Sequence, residues 1–376
     1  MTDDPSTSIE TGEKNHPDLT ERKNGSENTD PQPGQQNVTY TMSPSLVGLL
    51  YKLDLSIAFT SYQSGKVYLL GRNPNGGLMV NEQFFQKAMG LSATEDGFVL
   101  ATLFQIHHFQ NVLRPDQRAE QLFEKVYVPR KSHVTGALDA HDVGLLKDGL
   151  PVFVNTRFNC IATPHPVHSF EEYWRPSFIS EIVDEDRCHL NGMAMSKGKP
   201  AFATAASKSN TVDGWRDRRG DGGVLIDVLK DKVVCEGLSM PHSPRLYDGK
   251  VWLLNSGEGD LGYFDPNEPE LGFQPQVFCP GFARGLALHA GHAFVGLSKP
   301  RHQRFEGLGL DDKLKDADSE PWCGVQIIDL TKKSVVGWFR IDGAVSELYD
   351  VTLLAGAFCP MLLGFGSSEL RNLVTH

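Results

Sequence analysis

Three histidines occupy similar places in three similar stretches of the sequence. They are His141 in AHDVGLLKDGLPVFV, His189 in CHLNGMAMSKGKPAFAT and His242 in PHSPRLYDGKVWLLNSG. Neutral imidazole is a common ligand of divalent transition metals, and it also acts as a general acid or base. Three such ligands with one open position would form a catalytic metal site. If the side chains only hydrogen-bond neighbouring strands, they are structural instead.

A second set of polar positions lies seven residues before the glycine of each predicted hairpin. These positions are Gly90, Asp142, Asn191, His242 and Arg284. Apolar residues would be expected there if the positions faced only a packed core. Because guanidinium groups suit carboxylate, phosphate or sulfate groups, Arg284 is predicted to hold an anionic group and Asn191 to orient the ligand.

Further charged residues are predicted to surround the same site. The ligand-binding candidates are Asp142, Arg245, Arg284, Lys299, Arg301, Glu347 and Asp350. The alternative is that the cations of this face, which also include Arg157 and Arg187, form salt bridges along the rim with Asp184, Glu185, Asp186 and Glu258. The three histidines also lie at unequal distances from the following hairpin glycine, so they need not lie at one height.

The histidines recur about every 50 residues, a period typical of β-propeller blades. Short apolar runs such as KVWLLNS and LPVFVNT alternate with turn residues, including Asp-Gly at 96–97, 148–149 and 248–249. Six units begin near Met89, His141, His189, His242, Arg284 and Tyr349. The early runs SIAFTSYQSG, KVYLLG and LMVNEQFF are predicted to complete the last blade. We therefore predict an all-β fold, a six-bladed β-propeller, with seven blades as the alternative.

The first 40 residues differ in composition from the rest of the chain. Residues 1–40 are almost without apolar side chains and are predicted to be a disordered tail, leaving residues 41–376 as one propeller domain.

Helices are predicted in SPSLVGLLYKL and RPDQRAEQLFEKV. The charged insert at 306–322 is interpreted as a solvated loop. Trp215, in a Gly-rich loop, either forms a lid on a ligand or, as the safer interpretation, packs on a blade edge.

Composition narrows the class of partner. The net charge of −11 disfavours nucleic acid and anionic membranes, and no apolar run is long enough to span a bilayer. The six cysteines form no Cys-x-x-Cys pair and are predicted to be free, packed thiols. No secretory signal pattern precedes the domain, so a soluble, cytoplasmic protein is expected.

The chain resembles a family of bacterial conserved hypothetical proteins, a domain of unknown function with propeller-like repeats. The resemblance is carried by VNTRFNCIATP, WRPSFISEIVDEDRCHLNGMAM, GLSMPHSPRLYDGKVWLLNSGEG, PGFARGLALHAGHAFVGLSKPR and ELYDVTLLAG. It implies the propeller fold and no particular activity.

Two functional classes stay open at this point. In the first, the axial mouth binds a small polar or anionic molecule, and His141, His189 and His242 hold a divalent transition metal or act as acid and base. In the second, the propeller is a noncatalytic binding module or scaffold for a protein partner, since this fold hosts both roles.

Overall fold

The computed structural model describes residues 38–299 and 307–375. Most of the predicted tail and Arg301 lie outside these ranges. The predicted boundary at residue 40 is slightly late, because Thr39 and Tyr40 already belong to a strand.

The described residues form twenty-six strands and three α-helices. The strands are β1 (Thr39–Met42), β2 (Leu55–Ser61), β3 (Lys66–Arg72), β4 (Leu78–Phe84), β5 (Leu91–Thr94), β6 (Gly97–Ala101), β7 (Gln105–Asn111), β8 (Lys125–Val134), β9 (Ala140–Leu145), β10 (Pro151–Asn155), β11 (Cys160–Thr163), β12 (Glu171–Trp174), β13 (Leu190–Ser196), β14 (Lys199–Ala205), β15 (Gly223–Asp227), β16 (Lys232–Leu238), β17 (Pro241–Tyr247), β18 (Lys250–Asn255), β19 (Asp260–Phe264), β20 (Phe273–Phe278), β21 (Phe282–His289), β22 (His292–Ser298), β23 (Cys323–Asp329), β24 (Ser334–Asp342), β25 (Val351–Ala355) and β26 (Pro360–Leu362). The helices are α1 (Leu46–Leu53), α2 (Gly309–Asp316) and α3 (Ser368–Asn372).

These strands form six sheets, each of which is one propeller blade. Blades 2 to 6 use consecutive strands: β5–β8, β9–β12, β13–β16, β17–β20 and β21–β24. Strand β26 joins the outer edge of blade 2, and β1 joins the outer edge of blade 6. The first strands of neighbouring blades contact one another in a closed ring that also includes β25. The protein is therefore an all-β, six-bladed propeller, as predicted, and the seven-bladed alternative is wrong.

Blade 1 combines the two ends of the propeller. Strands β2, β3 and β4 supply its three outer strands, and β25 supplies the innermost one. Strands β2 and β25 are antiparallel, with Leu55 opposite Ala355 and Phe59 opposite Val351. This arrangement confirms the predicted closure, and it pairs strand edges that would otherwise stay open.

The hairpin turns explain why the sequence specifies this register. Lys197 and Gly198 form the two-residue turn between β13 and β14, and both have positive φ, 50° and 72°. Asp248 and Gly249 do the same between β17 and β18, with φ of 50° and 74°. Turns with two positive φ values match the twist of antiparallel strands, and glycine adopts this conformation without a steric penalty.

Two helical predictions have different outcomes. SPSLVGLLYKL contains α1, whose Leu46 and Leu50 are buried against blades 1 and 6. RPDQRAEQLFEKV forms no helix, so that prediction is wrong. Glu120 and Gln121 have positive φ, which ends any helical run, and the chain then enters β8 at Lys125. Among the described helices, none is long and apolar enough to cross a membrane.

The blades are joined by buried apolar side chains. Phe59, Phe98, Phe153, Phe294 and Phe339 are almost fully buried and belong to the sheet interfaces. All six cysteines are also buried and free, as predicted: Cys160, Cys188, Cys235, Cys279, Cys323 and Cys359.

Candidate axial site

A cavity of about 400 Å³ lies at the end of the propeller axis where the inner strands begin. Its lining comes from the ends of several blades and from the long connection between β14 and β15. The lining residues are Tyr62, Lys87, Met89, Asp139, His141, Asp186, His189, Trp215, Arg216, Arg219, Met240, Arg284 and Tyr349. We call this cavity the axial cavity.

Strand register determines which side chains lie at the same level of the axis. Equivalent inner-strand pairs in blades 3 to 6 are Ala140 with Asn155, Leu190 with Ala205, Pro241 with Asn255 and Ala283 with Leu297. The residues that follow them are His141, Asn191, His242 and Arg284. These four positions therefore form one level, and His189 lies two residues earlier, nearer the mouth.

His189 is held in a fixed orientation by two neighbours. Its Nδ1 lies 2.6 Å from Oδ2 of Asp186, and its ring stacks on the indole of Trp215 with centroids 4.1 Å apart. Because a carboxylate can only accept, Nδ1–H donates, and Nε2 of the neutral ring is an acceptor. An imidazole oriented by a carboxylate in this way is suited to general-base chemistry.

His141 lies beside His189 in the neighbouring blade, with ring centroids 5.2 Å apart in an edge-to-face arrangement. Its Nδ1 donates to the backbone carbonyl of Asp139 at 2.9 Å, so its Nε2 is also an acceptor. Burial, and then the interaction with the neighbouring His189, lowers the pKa of His141 to about 3. His141 is therefore neutral at pH 7.

His242 lies behind the wall of the axial cavity rather than on it. Its Nδ1 donates to the carbonyl of Met240 at 2.7 Å and also lies 3.0 Å from Oγ of Ser256. Burial, and then the charge of Arg284, lowers its pKa well below the usual value. Its Nε2 is buried and has no hydrogen-bond partner among the described residues.

The structure does not support the predicted three-histidine metal site. The described residues contain no group of three or more His, Cys, Asp or Glu side chains placed to hold one metal ion. The register supplies the physical reason, because His189 lies two residues nearer the mouth than the level of His141 and His242. First-shell ligands must approach one point at about 2 Å, which differing heights disfavour.

Arg284 is surrounded by aromatic rings instead of carboxylates. Its guanidinium carbon lies 5.3 Å from the ring centroids of Phe282 and Tyr349 and 6.0 Å from that of Tyr62. No carboxylate partner for Arg284 is found among the described residues, and its Nε is buried without a hydrogen bond. A guanidinium in this setting can bind an anionic ligand without first breaking a salt bridge.

The charge of the cavity wall is opposite in sign to that of the whole chain. Its cations are Lys87, Arg216, Arg219 and Arg284, and its carboxylates are Asp139 and Asp186. A cleft lined mainly by one sign of charge concentrates ligands of the opposite sign. Sequence reasoning did not identify Lys87, Arg216, Arg219 or Tyr62 as part of the site, since they lie in loops that a repeat pattern does not locate.

Three predicted ligand-binding residues instead form a buried salt bridge below the site. Nη1 of Arg245 lies 2.8 Å from Oδ2 of Asp142, and Nη2 lies 3.4 Å from Oδ1 of Asp350. All three lie beyond the axial cavity, and Asp142 and Arg245 line a second cavity of about 380 Å³ at the opposite end of the inner strands. Because their charges pair internally, this geometry does not favour ligand binding by these residues.

The remaining predicted site residues also have internal partners. Nδ2 of Asn191 donates to the carbonyl of Pro241 at 3.1 Å, and Glu347 accepts a hydrogen bond from the hydroxyl of Tyr62. Nζ of Lys299 lies 3.7 Å from Oδ1 of Asp342. None of these three predicted residues lines the axial cavity.

The predicted alternative of salt bridges along the rim also holds. Arg157 pairs with Asp184 through two hydrogen bonds, and Arg187 pairs with Glu181 and Glu185. These arginines are therefore less available to a ligand than Arg284.

A second layer of structure, which was not predicted from the sequence, packs behind the wall of the axial cavity at Trp215. The insert at 306–322, interpreted as a solvated loop, contains α2, and its Leu310 and Leu314 are buried. They form one apolar cluster with Trp215 and Phe282. Trp215 therefore packs against this layer and His189, and also against Ala206 and Met240 at the ends of blade strands β14 and β17.

Comparison with solved structures gives weak global similarities. A chain from a nidogen/laminin complex is 10% identical, with a TM-score of 0.46, covering 81% of this chain and 99% of that one. A streptogramin B lyase is 9% identical, with a TM-score of 0.40 and coverages of 75% and 78%. A gluconolactonase from Xanthomonas campestris is 8% identical, with a TM-score of 0.43 and coverages of 72% and 83%. At this level of similarity, the partners and activities of these proteins cannot be assigned to this chain.

The chain matches no curated protein. A family model described as a domain of unknown function, DUF4915, matches residues 44–363, which include all of blades 1 to 6 and every described wall residue of the axial cavity. The chain belongs to the DUF4915 family.

Proposed function

We propose that the protein binds a small anionic molecule in the axial cavity, with Arg284 as the principal anion-binding residue. The observation that carries this proposal is the environment of Arg284, whose guanidinium faces aromatic rings and has no described carboxylate partner. Lys87 and Arg219 also line this wall, where Lys87 pairs with Asp139. The volume of about 400 Å³ falls within the usual range for small-molecule sites.

Calorimetric titration with acetate, benzoate, phosphate and sulfate tests this proposal. Arg284→Met keeps a similar side-chain length, and it should weaken the best-bound anion by about 10-fold or more, since a charge-assisted hydrogen bond contributes about 1.5–3 kcal/mol. Arg157→Gln is the matched control, because Asp184 already pairs that arginine. Equal affinities of wild type and Arg284→Met, or no binding of any of the four anions, would reject the proposal.

A second candidate function is general-base catalysis by His189, favoured by the 2.6 Å contact between its Nδ1 and Asp186. In an ester substrate, Nε2 would take a proton from water while the water oxygen bonds to the acyl carbon. The leaving alkoxide would then regain a proton from the imidazolium. Mono-p-nitrophenyl terephthalate carries a carboxylate that Arg284 would bind but that cannot reach its own ester carbonyl, and p-nitrophenyl benzoate lacks this carboxylate.

Hydrolysis rates of these two esters separate catalysis from binding. After subtraction of the uncatalysed rates, the terephthalate ester should react faster than the benzoate ester, and His189→Gln should remove at least about 100-fold of that rate. Asp186→Asn should lower the rate less, while changing its pH profile. If His189→Gln hydrolyses both esters as fast as wild type, His189 is not a general base, and the anion-binding proposal is unaffected.

A further inference from the structure

Several buried polar atoms around the axial cavity have no hydrogen-bond partner among the described residues. They are Nε of Arg284, the hydroxyl of Tyr349, Nε1 of Trp215, Oδ1 of Asp186, Oδ1 of Asn191 and Nε2 of His242. Buried polar groups in folded proteins are almost always hydrogen-bonded, so a concentration of such atoms at one place indicates a polar ligand. Four of the six belong to residues that line the cavity.

The histidines contribute acceptors to this set. Nδ1 of His141 donates to a backbone carbonyl, and Nδ1 of His189 lies 2.6 Å from the Asp186 carboxylate. In its neutral form each ring keeps a lone pair on Nε2, and neither ring nitrogen is then left to donate to a ligand. A ligand that satisfies these nitrogens must carry its own donor groups.

The donors lie beside these acceptors, because the ring centroid of Tyr349 lies 5.5 Å from that of His141. Arg284 and Tyr349 are in contact, with the guanidinium carbon 5.3 Å from the tyrosine ring centroid. Burial raises the pKa of Tyr349 well above its usual value, so its hydroxyl remains protonated and can donate. A guanidinium next to a hydroxyl donor is suited to the two oxygens of one carboxylate.

The charges in the cavity wall determine which hydrogen-bond donor groups of a ligand can approach His141 and His189. An ammonium group would be repelled by Arg284, whose guanidinium has no carboxylate partner among the described residues. Lys87 adds less repulsion, because it pairs with Asp139. Neutral hydroxyl groups donate hydrogen bonds without that penalty. A dianionic phosphate is also less suited than a carboxylate, because Asp139 and Asp186 lie in the same wall.

We infer that the ligand is a hydroxylated carboxylic acid of the sugar-acid class. This inference rests on the proposed anion-binding function. Its carboxylate contacts Arg284 and Tyr349, and its hydroxyl groups donate to Nε2 of His141 and of His189. A cavity of about 400 Å³ is large enough for a ligand of one or two sugar units.

Three ring-sized probes separate the two recognition elements. Glucuronate carries both a carboxylate and hydroxyl groups, cyclohexanecarboxylate lacks the hydroxyl groups, and glucose lacks the carboxylate. Galacturonate and gluconate allow for differences in stereochemistry. In calorimetric titration, the best sugar acid should bind at least about 10-fold more tightly than cyclohexanecarboxylate and than glucose, because unpaired polar groups in a site discriminate strongly.

Two variants assign each preference to its residue. His141→Phe should lower the preference for hydroxyl groups by about 10-fold and leave the preference for the carboxylate unchanged, since the acceptor Nε2 is lost while Arg284 remains. Arg284→Met should lower the preference for the carboxylate and leave the preference for hydroxyl groups unchanged. His289→Phe is the matched control, because His289 lines the cavity at the other end of the inner strands. Thermal unfolding of each variant verifies that the propeller remains folded.

The outcomes distinguish this inference from the function on which it rests. If cyclohexanecarboxylate binds as tightly as the best sugar acid and Arg284→Met weakens both, anion binding stands and the sugar-acid class is rejected. If His141→Phe leaves the preference for hydroxyl groups intact, the class is likewise rejected. If none of these probes binds with a Kd below about 10 mM, the class is rejected, and the proposed function falls as well only if none of the four simple anions binds.

Discussion

Arg245 in β17 reaches across the propeller axis to Asp142 in β9, with Nη1 2.8 Å from Oδ2. The two residues are 103 positions apart in the chain and belong to blades 5 and 3. Asp350, just before β25, lies on the other side of the same guanidinium. This cluster therefore connects three inner strands, and it lies between the axial cavity and the cavity at the opposite end.

Loss of this guanidinium should destabilise the propeller strongly. Arg245→Met leaves Asp142 and Asp350 buried without their cation, and breaking a buried ion pair from one side costs about 3–5 kcal/mol. Addition of Asp142→Asn and Asp350→Asn to that variant should recover part of the loss, because no uncompensated charge remains. Arg340→Met, which removes an exposed ion pair with Asp342, should cost less than about 1 kcal/mol. Urea unfolding measures all three changes, and equal costs for Arg245→Met and Arg340→Met would contradict the prediction.

The same cluster predicts a pH dependence of stability. Burial and the neighbouring Asp142 carboxylate raise the pKa of Asp350 to about 7, although Arg245 opposes this shift. Between about pH 4 and 7 the folded protein then holds a proton that the unfolded chain has released, so stability falls as the pH rises through this range. Asp350→Asn should remove that part of the decrease. Free energies of unfolding at pH 4.5 and 7.5 provide the comparison, and parallel pH profiles would show that Asp350 does not titrate in this range.

His141 predicts a pH dependence of the opposite sign. Its pKa is lowered to about 3, whereas an unfolded histidine titrates near 6.5, so its contribution to stability is lost as the pH falls below about 6.5. His141→Phe should therefore lose less stability than wild type between pH 7 and pH 5. Nitrogen-15 NMR of histidine-labelled protein should show His141 neutral and protonated on Nδ1 over this range. A midpoint near pH 6.5 for His141 would contradict the prediction.

The second layer of the cavity wall should contribute to stability through Leu310. This residue is almost fully buried beside Trp215 and Phe282, and truncation of such a leucine costs about 2–5 kcal/mol. Leu271→Ala is the control, because Leu271 is 53% exposed. Leu310→Ala should also change the fluorescence of Trp215, which a single-tryptophan variant reports. Similar unfolding midpoints for the two leucine variants would indicate that α2 does not support the wall.

Two N-terminal truncations test whether β1 contributes to stability while the predicted tail before it does not. A chain that starts at Val38 should keep the thermal midpoint of the full chain, because residues 1–37 have too few apolar side chains to bury. A chain that starts at Ser43 lacks β1, which pairs with β24 from Thr39 to Met42. Its midpoint should fall, and the amides of β24 should exchange faster with solvent. Equal midpoints for the two truncated chains would show that β1 contributes nothing.

The fold could be predicted from local turn chemistry. Dipeptides such as Asp248–Gly249 adopt conformations that only a few residue types tolerate, and each marks a hairpin between two apolar runs. Counting these turns gave the six blades and left SIAFTSYQSG without an inner strand, which predicted the closure. The repeat pattern did not identify α2, because this short helix has only two buried leucines, four positions apart, among mostly charged residues.

The site was harder to predict because a shift of one residue reverses the direction of a side chain in a strand. A count of seven residues back from the hairpin glycine gave Asp142 in blade 3, whereas strand pairing puts His141 at the level of His242 and Arg284. The turn after β9 is longer than the other hairpin turns, since Leu145 pairs with Pro151. That difference is not visible from the position of Gly149 alone.

The rings of Tyr62 and Tyr349 meet edge to face, with centroids 5.1 Å apart, at the point where blade 1 closes. Tyr62 follows β2 and Tyr349 precedes β25, and the neighbouring hydrogen bond from Asp350 to Thr60 joins residues 290 positions apart. The wall beside Arg284 is therefore complete only after the ring has closed, so a nascent or proteolytically clipped chain without β25 has no mature site. A ligand that binds only the closed ring would in turn slow its reopening, which couples occupancy to resistance against degradation.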